Sequence, residues 1–237
     1  MTRTLAVAEA GPAELGLAEH VERFCDSVFA PLREMAGVVL AAARTDRPRL
    51  ADLAALEPLA RAELSRPDGL VIGSGLVSDP ALIADAPWHL AWWTRDRAGR
   101  IEALQVVSDP ALDGFRDYTV LEWWTVPERT GDRHITGPYV DYLCTDEYTL
   151  TFTVPVLTED GRLLGVVGSD VYVASAERSL LPALRAAGRP ATVVNAAGRV
   201  VVSAVAEHVT GMLVRTVPTG WSELACRQLP FRVLARD

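Results

Sequence analysis

The sequence predicts an α+β protein: a long N-terminal helix, an antiparallel sheet module, and a second, smaller sheet module after one more helix. Three observations predict it. From Ala13 to Ala43 the larger apolar residues fall at Leu17, Val21, Phe24, Val28, Leu32, Met35 and Val39, in steps of three and four that form one helical stripe. Three later segments, 97–101, 159–163 and 196–200, repeat a small or polar pair followed by Gly-Arg and an aliphatic residue. Each has an apolar run on both sides, the pattern of a hairpin whose glycine takes a positive φ, and hairpins build antiparallel sheet. Finally, 175–187 has the marks of a helix, with Ser175 as N-cap, Glu177 in the first turn and Gly188 just past the end.

Taken in order, the first helix is expected to kink or break near Ala30, because Pro31 lacks an N–H and crowds the preceding turn. Its stripe serves either the core or a dimer interface. A second helix is expected over Leu50 to Leu64, ended by Arg66-Pro67-Asp68-Gly69. Leu70–Val77 and His89–Trp93 read as strands, separated by a loop punctuated at Asp79-Pro80 and Ala86-Pro87. Thr192–Asn195 and Val200–Ser203 begin a fresh hairpin that Phe231–Leu234 can close. The expected organisation is therefore a helical region over 1–66 packing on the sheet, a larger module over 67–174 and a smaller one over 175–237.

Composition narrows the function. At 237 residues and a net charge of −8, the chain can bury a sizeable core and lacks the basic face that a nucleic-acid partner requires. Lysine is absent, which removes Schiff-base and P-loop lysine chemistry. Cys25, Cys144 and Cys226 stand far apart with no Cys or His at ligand spacing, so they are read as buried fillers. No metal set can be assembled from His20, His89, His134 and His208, and no cofactor is implied. His134 is read as a loop residue without a partner. The first ten residues are too weakly hydrophobic for a signal segment, and no window of 18 apolar residues occurs, so a soluble cytoplasmic protein is expected, with no membrane contact. A Gly-x-Ser-x-Gly elbow, a His-Glu-x-x-His pair and a dinucleotide fingerprint are all missing, which disfavours an enzyme.

Aromatic residues and carboxylates recur together between Tyr118 and Tyr172: Tyr118, Glu122-Trp123-Trp124, Gly137-Pro138-Tyr139-Val140-Asp141, the Thr-rich run Tyr148–Val156, and Gly165-Val166-Val167-Gly168-Ser169-Asp170. Ring faces can cage a cation, and a carboxylate ending an apolar run must find a donor or a cation. Because Trp123 and Trp124 are adjacent on a helix, at least one is structural. Glu122, beside Trp123 on a short helix, is read as facing solvent rather than a site.

In this order and spacing, these motifs resemble the ligand-binding half of a double Cache sensor domain, which is PAS-like. The resemblance extends to the long preceding helix and the smaller module that follows. It implies a small-molecule sensor with Tyr118, Trp123, Trp124, Tyr139, Asp141 and Asp170 around the ligand. In the amino-acid-binding branch, an Arg two positions before the Trp-aromatic pair holds the ligand carboxylate and an Asp at the Asp170 position holds its ammonium. Here Leu121 stands in the Arg position and Asp170 is kept, which favours an amine or another small metabolite over an α-amino acid. Such domains usually lie between two membrane helices. Without them the signal would pass to a partner, either a transcription regulator or a second copy joined through the N-terminal helix. The alternatives are a dimerisation scaffold with a collapsed pocket, and a hydrolase or lyase using the same cleft.

Overall fold

The computed structural model describes residues 12–45, 47–140 and 147–237. Helix α1 spans Pro12–Ala42, a single 3-10 turn Leu50–Leu53 precedes α2 (Leu56–Leu64), and strands β1 (Val71–Ser78), β2 (Leu90–Arg95) and β3 (Ile101–Ala103) follow. A 3-10 turn at Tyr118–Val120 leads into α3 (Glu122–Thr130), then β4 (His134–Val140), β5 (Tyr148–Leu157) and β6 (Leu163–Tyr172). Helix α4 (Val173–Ala186) connects to β7 (Ala191–Asn195), β8 (Val200–Ser203), β9 (Trp221–Ala225) and β10 (Phe231–Arg236). The strands form a six-stranded sheet in the order β3-β2-β1-β6-β5-β4 and a four-stranded sheet in the order β8-β7-β10-β9. Every pairing between these strands is antiparallel, so the α+β class read from the sequence is the observed one.

Two compact units divide the chain. Cys25–Ser175 forms the larger, and Ala176–Asp237 with the first half of α1 as far as Phe24 forms the smaller. In the smaller unit, Ala176, Leu180 and Leu184 of α4 are buried, as are Leu17 and Val21 of α1, and Val194, Val200 and Leu234 make a core on the four-stranded sheet. Glu22 accepts a hydrogen bond from the Arg227 backbone N–H at 2.6 Å. Cys226 is buried in this unit, and burial, aided by the Glu22 charge, pushes its thiol up to about 12.

The three Gly-Arg segments are hairpin turns, with Gly99, Gly161 and Gly198 at φ values of 84°, 83° and 79°. These glycines close β2–β3, β5–β6 and β7–β8 in the backbone region that only glycine enters cheaply. Other local expectations are corrected. Helix α4 begins at Val173, so Ser175 is a buried first-turn residue and not the cap. The strand β6 runs straight into this helix, which leaves no loop for a cap to sit in. His134 opens β4 and does not lie in a loop.

The break expected at Pro31 does not occur: α1 continues through it. The carbonyl that a normal residue at 31 would bond is that of Ser27, and the Arg66 guanidinium donates to that oxygen at 3.2 Å. A side chain 35 residues further along the chain thus supplies part of what proline cannot. The same guanidinium pairs with Glu63 at 3.0 Å and Asp68 at 2.7 Å. Glu63 is 5% exposed, and burial holds its carboxyl above the ordinary range even beside Arg66. Arg66→Met keeps the aliphatic stem but strands a buried carboxylate and a helix carbonyl. It is expected to cost about 2–4 kcal/mol in chemical denaturation at neutral pH. A second substitution, Glu63→Gln, should restore part of the loss, because the stranded charge is then gone.

In the larger unit the second half of α1 lies on one face of the six-stranded sheet. Phe29 meets Phe152 edge-on with ring centroids 5.2 Å apart, and Ser74 Oγ lies 3.8 Å from Met35 Sδ. Val28, Leu32, Met35 and Val39 are fully buried. The apolar stripe is therefore covered within the chain itself.

Candidate functional site

The opposite face of that sheet holds the site, and strand periodicity decides which side chains reach it. Along β5 the residues alternate: Leu150 and Phe152 point to the α1 side, while Thr149, Thr151 and Thr153 take the other parity. Register then aligns rows across the sheet. Thr94, Gly73, Asp170, Thr151 and Thr136 stand side by side, and in the next row Trp92, Gly75, Gly168 and Thr153 do so. Strand β4 carries one extra residue between Thr136 and Tyr139, so both of these reach the same cavity.

Over these rows lies a cavity of about 590 Å³. Its floor is Trp92, Thr136, Thr151, Thr153 and Asp170; Val77, Leu90, Leu104 and Val166 make apolar wall, and Arg116, Asp117, Leu121, Glu122, Trp123 and Tyr139 border it from the segment before α3, from α3 and from β4. The size is that of a small-molecule site.

Asp170 is 2% exposed. Its Oδ1 accepts the Thr151 hydroxyl at 2.7 Å. Since Thr151 has a single proton and gives it to Asp170, the Tyr139 hydroxyl is the donor in its 2.8 Å bond to Thr151 Oγ1. The relay Tyr139 to Thr151 to Asp170 fixes the carboxylate as an acceptor. Near the cavity mouth, Glu122 Oε1 lies 3.0 Å from His134 Nε2. That hydrogen bond holds the Glu122 carboxyl below its ordinary value. His134 thus has a partner, contrary to the expectation from sequence.

Of the six residues singled out in the sequence, Trp123, Tyr139 and Asp170 line this cavity. Asp141 lies outside the described residues. Tyr118 and Trp124 do not line it: they form the wall behind it, in a cluster with Val77, Trp92 and Val166. The ring centroids of Tyr118 and Trp124 are 5.3 Å apart, and Trp124 is 1% exposed. Tyr118 donates its hydroxyl to the Ser78 carbonyl at 2.7 Å, and burial pushes the phenol well above its ordinary value. Tyr118→Phe is expected to lose about 1–2 kcal/mol of stability by leaving that carbonyl unpaired. In a titration its ligand affinity should stay within about three-fold of the unaltered protein, the mark of a supporting residue.

Trp92, Thr136, Thr151 and Thr153 are floor residues beyond those expected from the sequence. The alternation of threonines along β5 was a readable signal for Thr153. Nothing local marked Trp92, which reaches the floor only through the pairing of β2 with β1. Among the described residues no group of three or more His, Cys, Asp or Glu side chains is arranged to hold a metal ion. No described helix is long and apolar enough to cross a membrane.

Residues 89–176 match the family model for the methyl-accepting chemotaxis protein-like, first PDC sensor domain. No curated protein sequence matches the chain. Among solved structures, "Methyl-accepting Chemotaxis protein X" is similar with a TM-score of 0.66 and 17% identity, covering 95% of this chain and 94% of that one. The ligand-binding domain of the Pseudomonas fluorescens chemoreceptor CtaA, in complex with L-valine, has a TM-score of 0.61 and 17% identity over 94% of this chain and 92% of that one. The ligand-binding domain of the Pseudomonas aeruginosa PAO1 amino acid chemoreceptor PctC, in complex with GABA, has a TM-score of 0.58 and 18% identity over 94% of this chain and 96% of that one. At these identities the likeness establishes the fold. Residues 89–176 are thus similar to the chemotaxis-type PDC sensor domains, and the chain has the double Cache, PAS-like fold.

Proposed function

We propose that the larger unit is a non-enzymatic sensor of a small amine or amino-acid-like metabolite, whose ammonium group sits on Asp170. The observation that carries this reading is a nearly inaccessible carboxylate on the floor of an apolar, aromatic-walled cavity, held as an acceptor by Thr151. A buried carboxylate of this kind is stabilised by a cation that enters with it. Tyr139 and Trp123 give the cation ring faces, worth roughly 0.5–2 kcal/mol per contact. Asp117 and Glu122 at the border add negative potential, and Leu121 stands where a carboxylate-holding Arg would be. The structural neighbours solved with L-valine and GABA support a small nitrogenous ligand here, and an open cavity of this size argues against the scaffold reading.

Binding alters the chain's conformational balance only as far as it favours one state. In this reading the shift is passed to a partner protein, either a regulator or a second copy docking on the outward face of α1. The test is a thermal-shift screen of amines, amino acids, purines and small carboxylates. An amine at 100 times its dissociation constant should add about 2.7 kcal/mol of apparent stability, or several degrees. Stabilisation by carboxylates alone, or by none of these classes, would overturn the proposal.

A further inference from the structure

The polar groups of the cavity sit together on its floor, and hydrocarbon makes up most of the rest. Thr136 stands opposite Thr151 in the pairing of β4 with β5, and Thr153 lies two residues further along the same face of β5. The Thr151 hydroxyl is engaged by Asp170 and Tyr139. Those of Thr136 and Thr153 are buried and have no hydrogen-bond partner among the described residues. Both residues line the cavity, at 7% and 1% exposure. Buried hydroxyls in native proteins are almost always paired, so two open ones on the floor that carries Asp170 point to a guest that brings several donors to one spot.

A primary ammonium does so. It carries three N–H groups, a hydroxyl oxygen accepts one, and a carboxylate has room for several at once whatever else it bonds. A quaternary ammonium has the charge but no N–H, and would leave both hydroxyls open. Trp92 Nε1 is also unpaired, but it lies 2.8 Å from the Cβ position of Gly73, which does not line this cavity. Trp92 therefore offers the guest its ring and not its N–H.

The rest of the guest follows from the walls. Val77, Leu90, Leu104 and Val166 join the rings of Trp92 and Trp123, while Arg116, Asp117 and Glu122 are exposed at the border. A smaller cavity of about 180 Å³ adjoins this one, with Leu90, Leu104, Arg116, Leu121 and Trp123 lining both. Trp88, Val106 and Phe115 are among its further walls. The Trp88 ring meets Phe115 edge-on with centroids 5.0 Å apart, and Tyr118 at 5.3 Å. Its backbone has a φ of 56°, a left-handed conformation that a bulky residue enters at a cost. Such strain persists where the surroundings enforce it, and it gathers at ligand sites. An aromatic-walled recess beside an apolar cavity suits a flat hydrocarbon group that meets ring faces and edges.

We propose that the ligand is a primary arylalkylamine. Its ammonium donates to Asp170 and to the Thr136 and Thr153 hydroxyls, and its ring lies against Leu104 and Trp123 at the aromatic recess. This rests on the amine reading above and specifies the ligand class within it.

Calorimetric titration with 2-phenylethylamine, propylamine, L-phenylalanine and trimethyl(2-phenylethyl)ammonium tests it. 2-Phenylethylamine is expected to bind about 30-fold or more tighter than propylamine, the effect of burying a ring. It should also bind about ten-fold or more tighter than its trimethylated form, which keeps the charge and loses every N–H. The near-isosteric variants Thr136→Val and Thr153→Val should shrink that second ratio, by about three-fold or more in at least one of them. Phe115→Ala should shrink the first ratio and leave propylamine unchanged. Equal binding of 2-phenylethylamine and propylamine overturns the proposal and leaves the amine reading standing. So does equal binding of the primary and trimethylated forms, tighter binding of L-phenylalanine, or ratios that survive unchanged in every folded variant. The comparisons on the unaltered protein decide should a variant not fold. Failure of every amine to bind overturns both readings.

Discussion

Asp170→Asn is expected to abolish detectable amine binding while the protein stays folded. The substitution keeps the side-chain shape and an oxygen that can still accept from Thr151, so the relay from Tyr139 persists. What disappears is the charge that meets the ammonium. Removing one partner of a buried, hydrogen-bonded charge pair costs about 2–5 kcal/mol, or at least about 30-fold in affinity. The melting temperature of the free protein should stay within a few degrees, because the substitution keeps the side-chain shape and the bond from Thr151. Titration of the variant beside the unaltered protein checks both. Affinity within about three-fold of the original would move the cation away from Asp170.

The second large effect separates two neighbours. Trp124→Ala is expected to destabilise the fold by about 3–5 kcal/mol, because it empties a fully buried site packed between Tyr118, Trp92 and Val166. In a domain of this length that is a fall of roughly 10 °C in melting temperature. Trp123→Ala should cost far less stability, since its ring is only partly buried, and should instead weaken ligand binding. Melting curves and titrations of the two variants give opposite patterns if the assignment holds. The same loss of stability in both would contradict it.

These two tryptophans also mark the limit of what the sequence makes legible. Adjacency on a helix says that they face different ways, about 100° apart. Which one faces the core depends on how α3 rolls against the sheet, and that is set by residues distant in the chain. The same holds for Tyr118, whose ring reads as a cage wall but whose hydroxyl is spent on the Ser78 carbonyl. The cavity floor is legible only where one strand carries its own pattern. The alternation of Thr with Leu and Phe in β5 is such a pattern, and the Gly-Arg turns likewise announce their hairpins. Trp92, Thr136 and Asp170 come together through the pairing of four other strands with β5 or with each other, and through the extra residue in β4, none of which is written locally. The unbroken α1 is the clearest example of tertiary override. Pro31 is a sound local reason for a break, but Arg66 fills the hydrogen bond that proline leaves, and it comes from beyond α2.

The proposed sensor depends on one buried carboxylate, Asp170, receiving the ligand's cation. A crystal structure of the protein grown with 2-phenylethylamine tests it most directly. The ammonium nitrogen is expected within hydrogen-bond distance of the Asp170 carboxylate, under the rings of Tyr139 and Trp123. Density for the amine at the border, on Asp117 or Glu122 with Asp170 untouched, would contradict it.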